Sequence, residues 1–422
     1  MNIFAIDLGN KRIKMKSDQA EYVYPASYLL AENVTQDGLG DWQLEGNQIY
    51  SIDNDANRFI WGTELDAYHL SEKMIDTYVR SGRFEQKKAQ RILKFALGRL
   101  ALDYKASRTE FLAVNLVLGV PITDMHQDSK TIQTLKKLMI GQHVIQVDGE
   151  EVRVDIPSEA YILIVPQYMG TAFELAYDKA MQPVDKFANG RMGILDIGGG
   201  TILINTSNHL NPAPMGAERF EGVQTLIKLI AEKINSTKLF VIERLLHEGS
   251  TDGNYIYRPS RNPADLRDIS DIVKKALETY TRFTVAPLIT ENFPEIDEID
   301  FIVMTGGGAN IIDKVALLDE IGEEYFERLV FIASSELANV RGFYKYGILN
   351  WSGVRKHQGL ERVEEVAVVP SQPTVLEATL APTPISAQPH TQTFTFNQDY
   401  LNQLKQMQSN LKRLRDEINQ EI

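Results

Sequence analysis

Asp196, Gly198, Gly199, Gly200 and Thr201 stand together in GILDIGGGTILI (193–204), between two apolar runs. The runs read as buried strands and the glycines as the turn joining them. Glycine takes up positive φ and lets a ligand approach the backbone closely. Turn amides aimed one way form an anion nest. A carboxylate beside an anion repels it unless a cation lies between the two. The segment therefore fits a phosphate held by backbone N–H groups, with Asp196 facing Mg²⁺ through its water shell. An ordinary glycine-rich hairpin, with Asp196 capping its own turn, fits the same residues.

A second copy changes the balance. IFAIDLGNKRIKMK (3–16) leads a strand-like run to Asp7, then Gly9, then a second strand-like run. Aligning Asp7 on Asp196, 189 residues further on, sets Gly9 on Gly198. A duplicated strand–Asp-x-Gly–strand unit suggests two related domains that grip one nucleotide from opposite sides. Arg12, Lys14 and Lys16 share one strand face by the period of two. Solvent covers such a face equally well, and only the motif register singles out Lys14. A third glycine turn lies in FIVMTGGGANIID (301–313), where Gly306, Gly307 and Gly308 end a strand. A helix is expected from about Asn310. Backbone without side chains there can lie flat against a purine or ribose, and a helix N-terminus attracts phosphate. A tight strand–helix connection is the alternative.

The elements that must position these turns follow from periodicity. Strands are expected near 2–8, 11–17, 48–52 and 112–119, and a hairpin over 143–156 turns at Asp148-Gly149. Helical patterns cover about 84–104, the stretch from 170 to about 180, the residues after Gly222, about 266–290, and 334–350. YILIVPQYMG (161–170) reads as a strand leading into a helix. Strands alternating with helices indicate an α/β fold.

Composition sets the outer bounds. The chain has 422 residues, enough for at least two domains, with 43% hydrophobic and 24% charged residues. It has no cysteine, which excludes disulfides, thiolate metal sites and a catalytic thiol. Its net charge of −13 argues against broad binding to a nucleic-acid backbone. No run approaches the ~20 apolar residues of a membrane span, and the start reads as a strand, so no signal peptide is expected. A cytoplasmic protein is the expectation. Residues 366–392 are rich in Pro, Ser, Thr, Gln and Ala and lack glycine, the composition of an extended linker. Fully polyproline-like, that stretch spans roughly 80 Å. Beyond it, Tyr400, Leu404, Met407, Leu411, Leu414 and Ile418 follow steps of four and three, a coiled-coil seam. The seam is short enough to need a partner.

Taken together, the motifs resemble the actin-type ATPase superfamily of actins, DnaK-type chaperones and sugar kinases. Asp-x-Gly-x-x-x-x-Lys (Asp7, Gly9, Lys14), Asp-x-Gly-x-Gly-Thr (Asp196, Gly198, Gly200, Thr201) and the late Gly-Gly-Gly turn occur in the superfamily order. VPQYMG, EGVQTLIKLI, VMTGGGANIID and ELANVRGFYKYG bring the resemblance closer to the ParM-like bacterial actins that segregate plasmids. It covers about residues 1–350. The implied fold is actin-like. The first α/β domain spans 1–184 with 335–355 returning to it, the second 185–334, and the nucleotide lies between them. A linker over 356–396 and an amphipathic helix over 397–422 would follow.

The resemblance implies roles as well. ATP and Mg²⁺ are the expected cofactors. Asp7 and Asp196 would hold the hydration shell of Mg²⁺. Gly9, Asn10 and Lys14 would contact the β/γ-phosphates from one side and Gly198, Gly199, Gly200 and Thr201 from the other, with Gly306 to Gly308 along the adenosine. Gln167 would orient the attacking water, although as a surface turn after Pro166 it would do nothing. Glutamine orients water but is a poor general base, so hydrolysis would rest on positioning and the metal. Asn10 departs from the common Ser or Thr. The implied activity is ATP-driven polymerisation with hydrolysis-coupled disassembly in plasmid or other DNA segregation. The expected partners are further copies of the chain and a DNA-binding adaptor, with no direct nucleic-acid or membrane contact. A small-molecule kinase or a non-polymerising regulatory ATPase on the same fold is the alternative. The kinase lacks an evident acceptor-site base, and a chaperone would need a β-rich domain after the core.

Overall fold

The computed structural model of the chain describes residues 1–35, 45–68, 70–79, 82–122, 125, 130–213, 216–249, 253–259, 264–357 and 406. The fold is mixed α/β, as the alternation implied. Two β-sheets, one in each half, carry the two Asp-x-Gly hairpins. In the first, the strand Asn2–Leu8 pairs antiparallel with Arg12–Lys16 and parallel with Leu112–Val120. Ile162–Pro166 adds in parallel on the far side of Leu112–Val120. In the second, Arg191–Ile197 pairs antiparallel with Ile202–Asn208 and parallel with Phe301–Thr305, which pairs in parallel with Leu329–Phe331.

The two sheets repeat one arrangement. Asp7 lies opposite Gly119 near the carboxyl end of its parallel neighbour, and Asp196 lies opposite Thr305 in the same position. Ligands of open α/β sheets collect beyond those strand ends. The hairpin partners differ, because Lys14 stands opposite Asp7 and Leu203 opposite Asp196. The first hairpin thus brings a cation to its carboxylate, and the second does not.

Each sheet has its own apolar core. The central strands are near-continuous runs of Ile, Leu, Val, Phe and Ala, as expected where helices cover both faces. Ile6, Leu116 and Phe95 are fully buried in the first core, and Leu195, Met304 and Ile230 in the second. Two helices join the halves. Met169–Ala176 packs through Met169, Ala172 and Phe173 into a cluster with Met192, Ile194 and Val303 of the second sheet. Ala338–His357 packs through Val340 and Phe343 onto Ile3, Ala5 and Val117 of the first. They cross where glycine is required. A Cβ on Gly342 would lie 1.6 Å from the Gly170 carbonyl oxygen, and one on Gly170 would lie 2.3 Å from that of Asn339. Gly119 leaves room for the Phe343 ring in the same way.

Several boundaries differ from expectation. No long helix opens at Asn310. Gly307–Asn310 forms a single 3₁₀ turn, and the helix Lys314–Glu327 starts where Asp313 Oδ1 accepts from the N–H groups of Val315 and Ala316, both at 3.0 Å. Capping by Asp313 outcompetes the glycines as a start signal. The helical pattern over 266–290 is broken. A short strand pair holds Arg267–Asp268, Ser270–Tyr280 is α-helical, Thr281–Val285 winds as a π-turn and Ala286–Asn292 resumes the helix. The helix after Pro166 ends at Ala176, short of 180. The helix expected over 334–350 runs on from Ala338 to His357, past the expected start of the linker at 356. The rest of that linker and the amphipathic helix over 397–422 lie outside the described residues, except that Gln406 is helical. Among the described residues no helix is long and apolar enough to cross a membrane.

Candidate functional site

The two hairpin turns face one another across a cavity of ≈ 260 Å³. Its lining includes Gly9, Asn10, Lys14, Gln167, Asp196, Gly198, Gly199, Thr201 and Gly306 to Gly308, brought together from both sheets. Asn10 Nδ2 donates to Thr201 Oγ1 at 3.3 Å, tying one turn to the other. A Cβ on Gly199 would meet the Lys11 side chain at 2.7 Å, and one on Gly200 would meet Asn10 at 3.5 Å. Gly200 and Asp7 are not among the lining residues; Gly200 is half-buried and Asp7 buried.

Asp7 is fully buried and held on both oxygens. Lys14 Nζ lies 3.4 Å from Oδ2, and Gln167 Nε2 donates to Oδ1 at 2.9 Å. The cross-strand register sets the first contact, and the proline-ended strand Ile162–Pro166 delivers the second. Gln167 is thus a cleft residue and not a surface turn.

Asp196 is the more strained carboxylate. Burial pushes its pKa up, Lys14 opposes that rise, Asp7 adds to it, and the Asn339 hydrogen bond opposes it. Asn339 Nδ2 donates to Asp196 Oδ2 at 2.8 Å. A Cβ on Gly306 would fall 2.3 Å from Asp196 Oδ1, so the φ of 81° at Gly306 is matched by an approach that only glycine permits. A buried polar chain continues outward. Asn339 Oδ1 accepts from Thr171 N at 3.1 Å and Thr171 Oγ1 at 2.8 Å, and Thr171 Oγ1 lies 3.0 Å from Thr305 Oγ1. Ser335 Oγ donates to the Gly306 carbonyl at 2.6 Å. The crossing helices and the third glycine turn are thereby registered on one carboxylate.

The backbone of the second hairpin is equally fixed. Gly198 N donates to Thr201 O at 2.8 Å. The helix Val223–Lys233 begins on the same turn, with Val223 N donating to Gly198 O at 3.0 Å and Gln224 N to Gly199 O at 2.8 Å. Gly307 keeps open space beside the cavity, since a Cβ there would find its nearest neighbour, Glu336 Cβ, at 3.9 Å. Gly308 packs inward, on Ile197 and Val223.

Sequence reasoning missed three residues here. Arg83 is buried beneath the first hairpin. Its Nη1 donates to Leu8 O at 2.9 Å, and its Nη2 donates to Gly9 O at 2.7 Å and Thr77 Oγ1 at 2.9 Å. Burial draws its pKa down to about 10, so it remains a cation at neutral pH. Its only advance signal was Gly82 before it, with φ of 64°. Arg12 pairs with Glu336 at 3.4 Å, both on the cavity lining. Asn339 lay inside ELANVRGFYKYG without being singled out.

The donor set suits a small hard cation. Among the described residues no group of three or more His, Cys, Asp or Glu is placed to hold a metal by itself. Two carboxylates at the facing glycine turns would fit Mg²⁺, which keeps several waters and takes few protein ligands.

Comparison with known proteins agrees with this geometry. Residues 5–170 match the family model of the actin-like protein N-terminal domain, and residues 191–334 match that of the Alp7A C-terminal domain. No curated protein matches the chain. Among solved structures, apo pSK41 ParM aligns at 23% identity over 84% of this chain and 99% of its own, with a TM-score of 0.63. A Bacillus thuringiensis ParM with AMPPNP aligns at 15% identity over 83% and 99%, with a TM-score of 0.59. A subunit of a 15-stranded ParM filament from Clostridium botulinum aligns at 17% identity over 82% and 99%, with a TM-score of 0.61. The fold is actin-like, and the chain belongs to the actin-like proteins, with an N-terminal domain of that family over 5–170 followed by a C-terminal domain of the Alp7A kind over 191–334.

Proposed function

We propose that the chain is a filament-forming ATPase that binds Mg²⁺–ATP between its two hairpins, polymerises with ATP bound and disassembles after hydrolysis, in plasmid or other DNA segregation. The observation that carries this reading is the pair of buried carboxylates, Asp7 and Asp196, at matching strand ends beside facing glycine turns. The AMPPNP in the Bacillus thuringiensis relative and the filament of the Clostridium botulinum relative support it.

In this reading Gly9, Asn10 and Lys14 hold the β/γ-phosphates from one side and Gly198 to Thr201 from the other. Asp7 and Asp196 hold the hydration shell of Mg²⁺, which when bound supplies neutralisation of phosphate charge. Gly306 and Gly307 border the adenosine, while Gly308 packs behind them. Gln167 leaves Asp7 or shares it to place the attacking water. The domains divide as the motifs suggest, at about residues 184 and 334, with a cytoplasmic location and a DNA-binding adaptor as cargo partner.

The test is Asp196→Asn. It removes a buried charge but keeps an acceptor for Asn339, so turnover with Mg²⁺–ATP is lost while the fold persists. The nucleotide-free variant is more stable than the parent at neutral pH, on the order of 1 kcal/mol, as at other strained functional residues. The sign follows from the raised pKa. Asp196 favours folding while protonated, below its unfolded value, and that contribution is lost as pH rises through the folded value. The stability gap between variant and parent therefore closes as pH falls. Turnover at the parent's rate overturns the assignment.

A further inference from the structure

The two hairpins hold their carboxylates by different means. Asp7 meets Lys14 from its own partner strand and Gln167 from just beyond the strand Ile162–Pro166. The residue opposite Asp196 is Leu203, whose side chain carries no donor. Asp196 instead accepts its hydrogen bond from Asn339, 143 residues further on, at the start of helix Ala338–His357. The donor therefore comes from one of the two helices that join the halves, and not from the hairpin.

The orientation of that donor is set by its neighbours. A backbone N–H only donates, so the Asn339 atom 3.1 Å from Thr171 N is the carbonyl oxygen Oδ1, and Nδ2 is left for the carboxylate. The Thr171 hydroxyl donates to the same oxygen at 2.8 Å. With its one proton used there, Thr171 Oγ1 accepts from Thr305 Oγ1 at 3.0 Å. The protons thus point one way, from Thr305 to Thr171 to Asn339 to Asp196. Thr171 and Thr305 are fully buried and Asn339 is 5% exposed, so bulk water does not replace a lost member. The backbone is as constrained. A Cβ on Gly170, the neighbour of Thr171, would lie 2.3 Å from the Asn339 carbonyl oxygen. Thr171 and Asn339 stay in register for as long as their helices cross in this way. Pinning Asp196 Oδ2 leaves Oδ1, which lies against Gly306 of the cavity lining, for the water shell of a cation.

We infer that Asn339 is a positioning residue for the cation: held by Thr171 of the other helix, it fixes Asp196 with Oδ1 toward bound Mg²⁺, so that metal affinity depends on the contact between the two helices that join the halves. The inference rests on the Mg²⁺–nucleotide reading given above.

The test measures binding of a fluorescent, non-hydrolysable ATP analogue to the full-length chain, below the concentration at which scattering shows assembly. Each protein is titrated once with excess Mg²⁺ and once with EDTA, and the ratio of the two Kd values reads the contribution of the metal. Asn339→Leu keeps the approximate volume and removes both polar atoms. Its ratio is expected to fall about tenfold or more, the scale for a residue that orients a metal ligand, while its Kd in EDTA stays within about twofold of the parent's. Thr171→Val removes a donor to Asn339 and leaves the atoms of the Asn339–Asp196 bond in place. Its ratio is expected to fall about threefold, because the Thr171 N–H still holds Oδ1. Thr171→Ser keeps the hydroxyl and restores the parent ratio. A chain of purely structural importance would lower the melting temperature of these variants and leave the ratio alone. A parent-like ratio in Asn339→Leu overturns the inference, and so does one in Thr171→Val, which decides the matter where Asn339→Leu does not fold. A parent protein that binds the analogue equally with Mg²⁺ and with EDTA overturns the metal reading itself and this inference with it. A parent that gains from Mg²⁺, with variants that gain as much, overturns this inference alone.

Discussion

At the scale of single residues, the site is a contest over buried charge. Asp7 has both oxygens engaged, by Lys14 and Gln167, whereas Asp196 relies on an amide and on the distant field of Lys14. Arg83 fixes the turn between them by donating to two successive carbonyls. Lysine cannot reproduce that fork. Arg83→Lys is expected to weaken ATP binding by about tenfold or more, the equivalent of one charge-assisted hydrogen bond, read as the Kd of a fluorescent nucleotide. An unchanged Kd would remove Arg83 from the binding machinery. Gln167→Ala is expected to slow single-turnover hydrolysis by about a hundredfold, the scale of a misplaced reactant, while the nucleotide Kd changes little. An equal loss in binding and hydrolysis would make Gln167 a binding residue instead. Lys14 was singled out in the sequence by the motif register alone, as a phosphate contact; its pairing with Asp7 comes from the hairpin register of the fold. Arg83 was not singled out, since it arrives from a turn 75 residues beyond Leu8 with no motif of its own. Asn10, which departs from the common Ser or Thr, bridges the two turns through its amide.

At the scale of elements, the halves meet through two helices that cross with their backbones almost in contact. Glycine at 170 and 342 is what permits this distance. Gly342→Ala places a methyl group against a carbonyl that belongs to another helix and cannot rotate away. The cost expected is about 3 kcal/mol, the upper range for overpacking, measured by chemical denaturation. A loss below ~0.5 kcal/mol, the scale of an ordinary surface substitution, would show that the crossing yields. The strand–turn units were legible because Asp-x-Gly interrupts apolar runs. The helix starts were less so. Asp313 and not Asn310 opens Lys314–Glu327, because a carboxylate two and three residues before unpaired N–H groups is the stronger cap. The π-turn at Thr281–Val285 had no signature, since its surroundings keep an unbroken helical period.

At the scale of the whole molecule, the duplicated strand–turn unit accounts for the cleft. Two sheets present matching strand ends to one cavity. Asn10 donates to Thr201 across it. A ligand that binds both turns supplies differential affinity for one relative arrangement of the halves, and only such a difference shifts a conformational equilibrium. In the proposed function, that shift is coupled to self-association. The direct measurement is right-angle light scattering of the purified full-length chain after addition of Mg²⁺ and ATP, with phosphate release followed in the same sample. Scattering is expected to rise on ATP addition and to decay as phosphate appears. Phosphate release with a flat scattering trace at every protein concentration would contradict it and favour a non-polymerising ATPase on the same fold.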